Sequence, residues 1–552
     1  MYQDRNLMMK QFKLYLIENI SSTLTSLSFP IVDFTLTKPK NKSFGDLSSN
    51  LPLLIGSLIS KEPLKIAEII SKSLREKNLK NVIDINATPP GFLNFRISSA
   101  FFQQKVDFIL RKNENFGKGS IGIGKSANVE FVSANPTGPL TVGHGRNAVI
   151  GDIIARILEW KGYEVTREYY FNDAGRQMRI LGNSVEARYY EILGKSFDFP
   201  KDGYKGDYII NIAKKILKRH GRNINRGDSI FQIKAEKIIF NEIKDSLKDL
   251  DVNFDLFTNE KLFYENGKID NLLDALTEKK LIYKKNGATW FNSSSLGKEQ
   301  DRVYIKSSGE PTYRVPDTAY HIDKVERGYD IIIDVFGADH ADAYPDVIIA
   351  LKALGFSTDH IKVLLYQFVT LIQNGEKVKM STREANFITL DDLIKELGTD
   401  VIRYFFVMRS MNSHLDFDLD IAKDQSEKNP VFYLQYAYAR ICNITKQAKN
   451  KKLSKVRSVN LSLLIHENEI NMLKHMAQFP EIMDTAYKNL EPQYIASYLQ
   501  QLASLFHKFY SHCKVINKDD GLTIARIRLI KAVKVILKNG FNILGISSPE
   551  RM

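Results

Sequence analysis

Residues 128–146 read NVEFVSANPTGPLTVGHGR and predict the beginning of a parallel sheet. The apolar-rich segment 128–132 predicts a strand, and the Asn, Pro and Gly residues that follow predict a loop. A helical pattern then runs from about His144 to Trp160, and residues 164–172 predict a second strand. A strand, a helix and a strand in this order form a βαβ unit, which is typical of nucleotide-binding sheets.

The loop of this unit has the composition of an anion site. In an open parallel sheet, ligands bind at the carboxyl ends of the strands, where the next helix offers free N–H groups and the positive end of its dipole. Gly143 would let an adenine ring approach the backbone, and His144 can donate to a phosphate oxygen. A lone histidine at the start of a helix is, however, more often a cap.

A second basic run lies at residues 377–383, which read KVKMSTR. Its cations could stabilise the charge that develops on a phosphate during displacement. For a single basic run of this kind, a solvated surface loop is the commoner explanation. The interpretation of this basic run therefore depends on the other motifs in the chain.

Charge and composition favour a nucleic-acid partner. The 552 residues carry a net charge of +14, and residues 431–552 alone carry +10, which predicts a basic C-terminal module for binding a polyanion. On charge alone, a merely basic protein of another kind explains the total equally well.

The two cysteines, Cys442 and Cys513, are far apart and predict neither a disulfide framework nor a Cys-based zinc site. The first residues lack the pattern of a signal peptide, and no apolar run approaches the length of a membrane helix. We therefore expect a cytoplasmic protein that has no contact with membranes.

The pattern along the chain predicts an α/β protein with three domains. Residues 1–115 predict an α+β domain, with a helix at 51–59 and strands at 83–85 and 92–97. Residues 116–395 predict a Rossmann-like catalytic domain, interrupted by a helical insertion at about 180–285. Residues 396–552 predict an all-α helical bundle, in which Tyr433, Tyr436 and Tyr438 are core residues or stack on bases.

The two runs together, about 240 residues apart, resemble the two signatures of class I aminoacyl-tRNA synthetases, HxGH and KMSKS. Residues 129–146, 337–340 (GADH), 429–440 (NPVFYLQYAYAR) and the terminal PERM resemble the arginyl-tRNA synthetase family in particular. Residues 44–46 (FGD) and 89–93 (PPGFL) resemble the N-terminal domain of that family, which contacts the tRNA elbow. The resemblance covers nearly the whole chain.

The resemblance implies ATP-dependent activation of L-arginine to arginyl-adenylate, followed by transfer to the 3′-terminal ribose of tRNA(Arg). It implies ATP with Mg²⁺, no zinc and no metal ligand from protein side chains, and tRNA bound before arginine is activated. A helical C-terminal domain would read the anticodon. We expect a monomer.

The resemblance also assigns roles to particular residues. The expected catalytic residues are His144, Lys379 and Thr141. The expected ATP-binding residues are Asn135, Pro136, Gly138, Gly143, His144, Gly337, Asp339, His340, Lys379, Met380, Ser381 and Arg383. The expected arginine-binding residues are Glu130, Ser133, Asn135, Tyr313 and Asp317, of which Asp317 would meet the guanidinium and Tyr313 would pack on its plane.

Two positions depart from the family pattern. Thr141 stands where HxGH has its first histidine, and Thr382 stands where KMSKS has its second lysine, with Arg383 beside it. Three alternatives remain open. They are another class I synthetase, a small-molecule nucleotidyltransferase with the same signature, and a tRNA-binding relative without catalysis.

Overall fold

The computed structural model describes residues 9–173, 175–378, 388–450 and 459–552. The strands are β1 Leu47–Ser49, β2 Val82–Thr88, β3 Phe92–Ile97, β4 Ser126–Glu130, β5 Glu164–Phe171, β6 Leu256–Asn259, β7 Ile282–Lys285, β8 Ala288–Phe291, β9 Arg302–Ile305, β10 Ile331–Gly337, β11 Ile361–Tyr366, β12 Val369–Gln373, β13 Glu376–Lys377 and β14 Leu415–Asp418. The first ten helices are α1 Met9–Ser26, α2 Leu51–Ile59, α3 Pro63–Glu76, α4 Ser99–Lys112, α5 Val142–Trp160, α6 Gly175–Ile192, α7 Asp207–His220, α8 Ile230–Asp249, α9 Lys261–Glu265 and α10 Lys268–Glu278. The later helices are α11 Arg314–Glu326, α12 Tyr344–Leu354, α13 Leu390–Leu397, α14 Thr399–Val407, α15 Leu419–Lys423, α16 Pro430–Asn450, α17 Glu467–Met476, α18 Phe479–Asn489, α19 Gln493–His512 and α20 Asp520–Leu544.

The first domain is a small α+β unit. Strands β1, β3 and β2 form an antiparallel sheet in that order, and α1 to α4 accompany it. The helix predicted at 51–59 is α2, and the strands predicted at 83–85 and 92–97 lie in β2 and β3. These predictions are confirmed.

A five-stranded sheet forms the centre of the second domain. Its order is β11-β10-β4-β5-β6, and every neighbouring pair is parallel. The predicted βαβ unit is confirmed as β4, α5 and β5. From β4 the chain adds β5 and β6 on one side of that strand, and it later adds β10 and β11 on the other side. The strand order therefore reverses between β4 and β10. Such a switch point leaves a crevice at the carboxyl strand ends, where ligands bind.

Three short strands lie where the sequence pattern predicted helix. The segment 256–259, inside the predicted helical insertion, is β6 and forms the edge of the central sheet. The end of that insertion is β7, which joins β8 and β9 in a separate antiparallel sheet. Beyond Leu390 the predicted helical pattern is interrupted by β14, which pairs in parallel with β12. Each of these segments has only four residues, so pairing with distant partners, not local pattern, makes it a strand.

The C-terminal helices α16 to α20 form the predicted helical domain, which packs against both other domains. Lys474 of α17 forms an ion pair of 2.5 Å with Asp46 in the first domain. Lys161, directly after α5, forms one of 2.6 Å with Asp484 of α18. Tyr438 is buried, whereas Tyr433 and Tyr436 are partly exposed beside the ring of His507. None of the described helices has the length and apolar character that crossing a membrane requires.

Close packing of α5 on the sheet depends on Gly151. A methyl group at this position would overlap the side chain of Phe131, which is fully buried. We expect Gly151→Ala to lower the free energy of unfolding by about 1–3 kcal/mol, the usual result of overpacking a core. Urea-induced unfolding of the full chain measures the effect. Asn183→Ala, at an exposed position of α6, is the control and should change stability by less than about 0.5 kcal/mol.

Candidate active site

The first signature forms the amino end of α5. Thr141 directly precedes the helix, and its backbone N–H donates to Nδ1 of His144 over 3.2 Å. The hydroxyl oxygen of Thr141 is also 3.2 Å from this nitrogen. Thr141 therefore holds the imidazole ring of His144 in a defined orientation, which suits a positioning role better than that of a substitute cation.

His144 is a neutral donor in this position. Its Nδ1 accepts the backbone proton of Thr141, so the neutral ring carries its own proton on Nε2. Burial lowers the pKa of His144 to about 4, and the nearby carboxylate of Asp339 opposes this effect. At neutral pH the ring offers one N–H donor and no positive charge.

The loop after β4 is held in a strained conformation. Val132 and Ser133 both have positive φ, at 66° and 43°, which is rare for residues with a side chain. Asn147 of α5 stabilises this turn, because its oxygen accepts the N–H of Val132 and its NH₂ group donates to the carbonyl of Val335. One side chain thus connects the ends of β4 and β10. Strain of this kind is found at ligand-binding loops more often than elsewhere.

The expected substrate residues of this loop contact their own chain. Ser133 donates to Glu130 over 2.8 Å, and its oxygen accepts the N–H of Tyr170. Asn135 accepts the N–H of Asn172 and donates to the side chain of Gln177. Pro136 is buried, and Gly138 lies close to the hydroxyl of Tyr208. These contacts fix the shape of the loop.

The segment Gly337–His340 follows β10, on the other side of the switch point. The carboxylate of Asp339 folds back over Gly337, and the ring of His340 stacks on Phe336 with centroids 5.4 Å apart. Asp339 is close enough to act electrostatically on His144. Above the helix end itself there is room, because a methyl group on Gly143 would meet only the Thr141 hydroxyl, at 3.8 Å. The first signature and this segment therefore lie close together, with free space beside Gly143.

The second signature lies largely outside the described residues, which exclude Lys379, Met380, Ser381, Thr382 and Arg383. Both flanks of this segment are described. Before it, Val378 donates its N–H to the carbonyl of Leu371 in β12. After it, Leu390 donates its N–H to the carbonyl of Leu140, and Thr389 forms a β-bridge with Thr141. The chain leaving the second signature is thus hydrogen-bonded to the first signature.

Asp317 lies in the first turn of α11 and faces a cluster of ionisable groups. Burial raises the pKa of Asp317 to about 7, His321 lowers it, and Glu260 and Glu130 raise it further. Among the described residues, no hydrogen bond or ion pair reaches its carboxylate. Tyr313, one turn earlier, is 55% exposed, and its ring lies 4.7 Å from the guanidinium carbon of Arg314. The free carboxylate can receive a cationic ligand.

A buried charge network lies directly behind this site. Glu130 ends β4, and Asp334 of β10 is its partner in the parallel register. Lys324 of α11 forms ion pairs with both carboxylates, at 2.6 Å from Asp334. His321 is 3.2 Å from the other oxygen of Asp334. All four side chains are buried, and they connect α11 to the two strands at the switch point.

Sequence reasoning missed this network and a further carboxylate, Glu260. Glu260 follows β6 and accepts hydrogen bonds of 2.8 Å from Tyr170 and from Asn172. The positions 317, 321 and 324 have helical spacing, so an ionisable face on an otherwise buried helix was a usable signal. No such signal marks Glu260, because β6 was not recognised as a strand of the sheet.

Comparison with known proteins shows the family of the chain. Three protein-family models match the chain: "Arginyl tRNA synthetase N terminal domain" at residues 14–97, "tRNA synthetases class I (R), catalytic domain" at 105–404 and "DALR anticodon binding domain" at 434–552. The chain belongs to the arginyl-tRNA synthetase family.

Individual relatives span nearly the whole chain. An arginine–tRNA ligase of Salinibacter ruber is 45% identical over 98% of this chain and all of its own length. One of Chlorobium phaeobacteroides is 46% identical, again over 98% of this chain and all of its own length. Among solved structures, Thermus thermophilus arginyl-tRNA synthetase has a TM-score of 0.76 and 20% identity, covering 98% of this chain and all of its own. At this identity the last likeness shows the fold alone.

The network behind the site makes a stability prediction. Lys324→Met leaves two buried carboxylates without their cation, so we expect the free energy of unfolding to fall by about 3–5 kcal/mol. Urea-induced unfolding followed by circular dichroism measures this loss. The control is Lys215→Met, which breaks a half-exposed pair with Glu242 and should change stability by about 1 kcal/mol or less. Equal losses in the two variants would contradict a structural role for the network.

Proposed function

We propose that this chain ligates L-arginine to tRNA(Arg) through an arginyl-adenylate. ATP, accompanied by Mg²⁺, is the substrate that supplies the adenylate. Membership of the arginyl-tRNA synthetase family supports this activity. The observation that carries the assignment of the site is the convergence, at the switch point of one parallel sheet, of a donor-bearing helix end and a partly buried carboxylate that no described residue pairs. The first suits a nucleotide phosphate, and the second suits a guanidinium.

The ATP half of the site is the amino end of α5. The free N–H groups of this helix and the Nε2–H of His144 point to where a phosphate would bind. The space above Gly143 accepts a flat ring against the backbone. We assign Lys379 to the same phosphates on the family resemblance, and the segment after the second signature is bonded to Leu140 and Thr141. Catalysis then rests on alignment and charge stabilisation, as in other phosphoryl chemistry.

The arginine half is acidic. A guanidinium has five donors and a permanent charge, and it needs acceptors in a fixed arrangement. Among the residues that the structure describes, none pairs with the carboxylate of Asp317, and each oxygen of Glu260 accepts one hydrogen bond and can accept another. Lysine, with a compact ammonium, would leave part of this set unpaired, which is how a polar pocket rejects an analogue. We assign Glu130, Ser133 and Asn135 to shaping the pocket floor as well as to binding the α-amino end.

The two outer domains complete the proposal. The first domain would contact the tRNA elbow, and the basic C-terminal helices would bind the anticodon arm. Each amino acid can be tested by ATP–pyrophosphate exchange with and without tRNA. Arginine-dependent exchange that requires tRNA supports the proposal. Exchange with another amino acid contradicts it, and no exchange with any amino acid favours the non-catalytic relative.

Removing a carboxylate should impair arginine binding selectively. We expect Asp317→Asn to raise the KM for arginine by about tenfold to a hundredfold, since one charge-assisted bond contributes about 1.5–3 kcal/mol, with little change in the KM for ATP. Glu260→Gln should act in the same direction. Aminoacylation kinetics measure both constants. Glu326→Gln, an exposed carboxylate on the same helix, is the control and should leave both constants unchanged.

Removing the phosphate donor should impair the chemical step. We expect His144→Ala to lower kcat by about a hundredfold to a thousandfold, which is typical for the loss of one donor to a developing charge. His144→Asn, which keeps an N–H donor, should retain more activity than His144→Ala. Single-turnover formation of aminoacyl-tRNA measures the step. His220→Ala, at the exposed end of α7, is the control, and an equal loss there would contradict the assignment.

A further inference from the structure

His321 occupies an unusual place between the charge network and the arginine pocket. It lies on α11, is only 6% exposed, and has a partner at each ring nitrogen. Its Nδ1 is 2.7 Å from the backbone carbonyl oxygen of Asp317, and its Nε2 is 3.2 Å from a carboxylate oxygen of Asp334. The ring therefore connects the residue that would bind arginine with the strand behind it.

Both partners are acceptors, and this determines the proton count of the ring. A carbonyl oxygen has no proton to give, and neither does an ionised carboxylate. Burial raises the pKa of Asp334, but Lys324 and His321 together hold it below its ordinary value, so Asp334 is ionised. Each nitrogen of His321 must then donate, and a ring that donates from both nitrogens is an imidazolium cation.

The surrounding charges favour this cation. Burial alone would lower the pKa of His321, but the hydrogen bond and charge of Asp334 raise it above the ordinary value. Lys324 on the same helix opposes this effect, and Glu130 at the end of β4 supports it. Two carboxylates on adjacent strands share one ammonium, and the imidazolium supplies a second positive charge to the group.

The imidazolium also acts on Asp317. Burial raises the pKa of Asp317 to about 7, and the charge of His321 is the main influence that lowers it. Lys324 also lowers the pKa of Asp317, whereas Glu260 and Glu130 raise it. Among the described residues, Tyr170 of β5, Tyr264 of α9 and Tyr304 of β9 also interact electrostatically with Asp317.

We propose that His321 is a protonated positioning residue that favours the ionised form of Asp317, and thereby sets the pH range over which this chain binds arginine. The inference rests on the proposed function, because it takes Asp317 as an acceptor for the guanidinium. His321 does not touch the substrate. It acts through the charge and the backbone of Asp317.

Arginine binding is linked to the protonation of Asp317, and the direction of its pH dependence follows from this. Only the ionised form of Asp317 binds the guanidinium, so arginine binding weakens as the pH falls through about 7. With this pKa, the Kd for arginine should be about tenfold higher at pH 6 than at pH 8, and binding at pH 7 should release about half a proton. Calorimetric titration of the full chain with arginine, in buffers of different ionisation enthalpy, measures both quantities.

The deciding variant is His321→Gln, which keeps an N–H donor but carries no charge. Loss of the cation raises the pKa of Asp317, so the midpoint of the Kd profile should move to higher pH, and proton release at pH 7 should rise from about half toward one. Near pH 8.5 the two Kd values should converge. A merely structural role would instead change the Kd at every pH and leave its midpoint and the proton count in place, which would overturn the inference.

A matched control and a second measurement keep the test decisive. His475→Gln removes another buried histidine, 4% exposed in α17, and should leave the pH profile unchanged.

In the unsubstituted chain, ¹⁵N NMR of labelled histidine should show protons on both nitrogens of His321 at pH 7, and a neutral ring would overturn the inference even if the glutamine variant fails to fold. If the unsubstituted chain and His321→Gln bind arginine with identical proton release, this inference is refuted and the proposed function stands. If the unsubstituted chain does not bind arginine, the proposed function is refuted.

Discussion

The buried contact of Lys324 with Glu130 and Asp334 is the constraint on which the site depends. The two carboxylates are neighbours in the register of parallel strands, at the point where the strand order reverses. Without a cation between them, repulsion in a medium of low polarity would oppose the pairing of β4 with β10. Lys324 removes this repulsion and at the same time fixes α11, and with it Asp317, against the strand ends.

The same network places its cations next to Asp317. His321 and Lys324 lower the pKa of this partly buried carboxylate, which burial raises. At the amino end of α5, His144 is neutral, because burial lowers its pKa and its Nδ1 accepts the N–H of Thr141. The N–H donors of this helix end suit an anion without a buried cation.

Helix α5 links this site to the C-terminal domain. It has 19 residues and is therefore about 28 Å long, with His144 near one end and Lys161 directly after the other. Lys161 pairs with Asp484, and Arg403 beside the helix bonds to Asp152 and to the carbonyl of Leu544 at the end of α20. The helix is therefore anchored to the C-terminal domain by contacts at its far end and along its side.

The sequence by itself determined the broad architecture and one half of the site. Periodic apolar patterns, Pro and Gly turns and a loop at a strand end predicted the βαβ unit, the first domain, the helical C-terminal domain and the position of His144. These features depend on neighbours a few residues apart, so local chemistry is sufficient to specify them. The family resemblance, with Asp317 among its residues, followed from linear motifs in the same way.

Only the tertiary structure decided which charges meet. Glu260 reaches the pocket because the four-residue strand β6 pairs with β5, and no local pattern predicts that pairing. Lys324 meets Glu130 across 194 positions of sequence, and His321 gains its charge from an aspartate on another element. Electrostatic interactions act through space and are strongest where water is excluded, so their partners are fixed by packing and not by order along the chain.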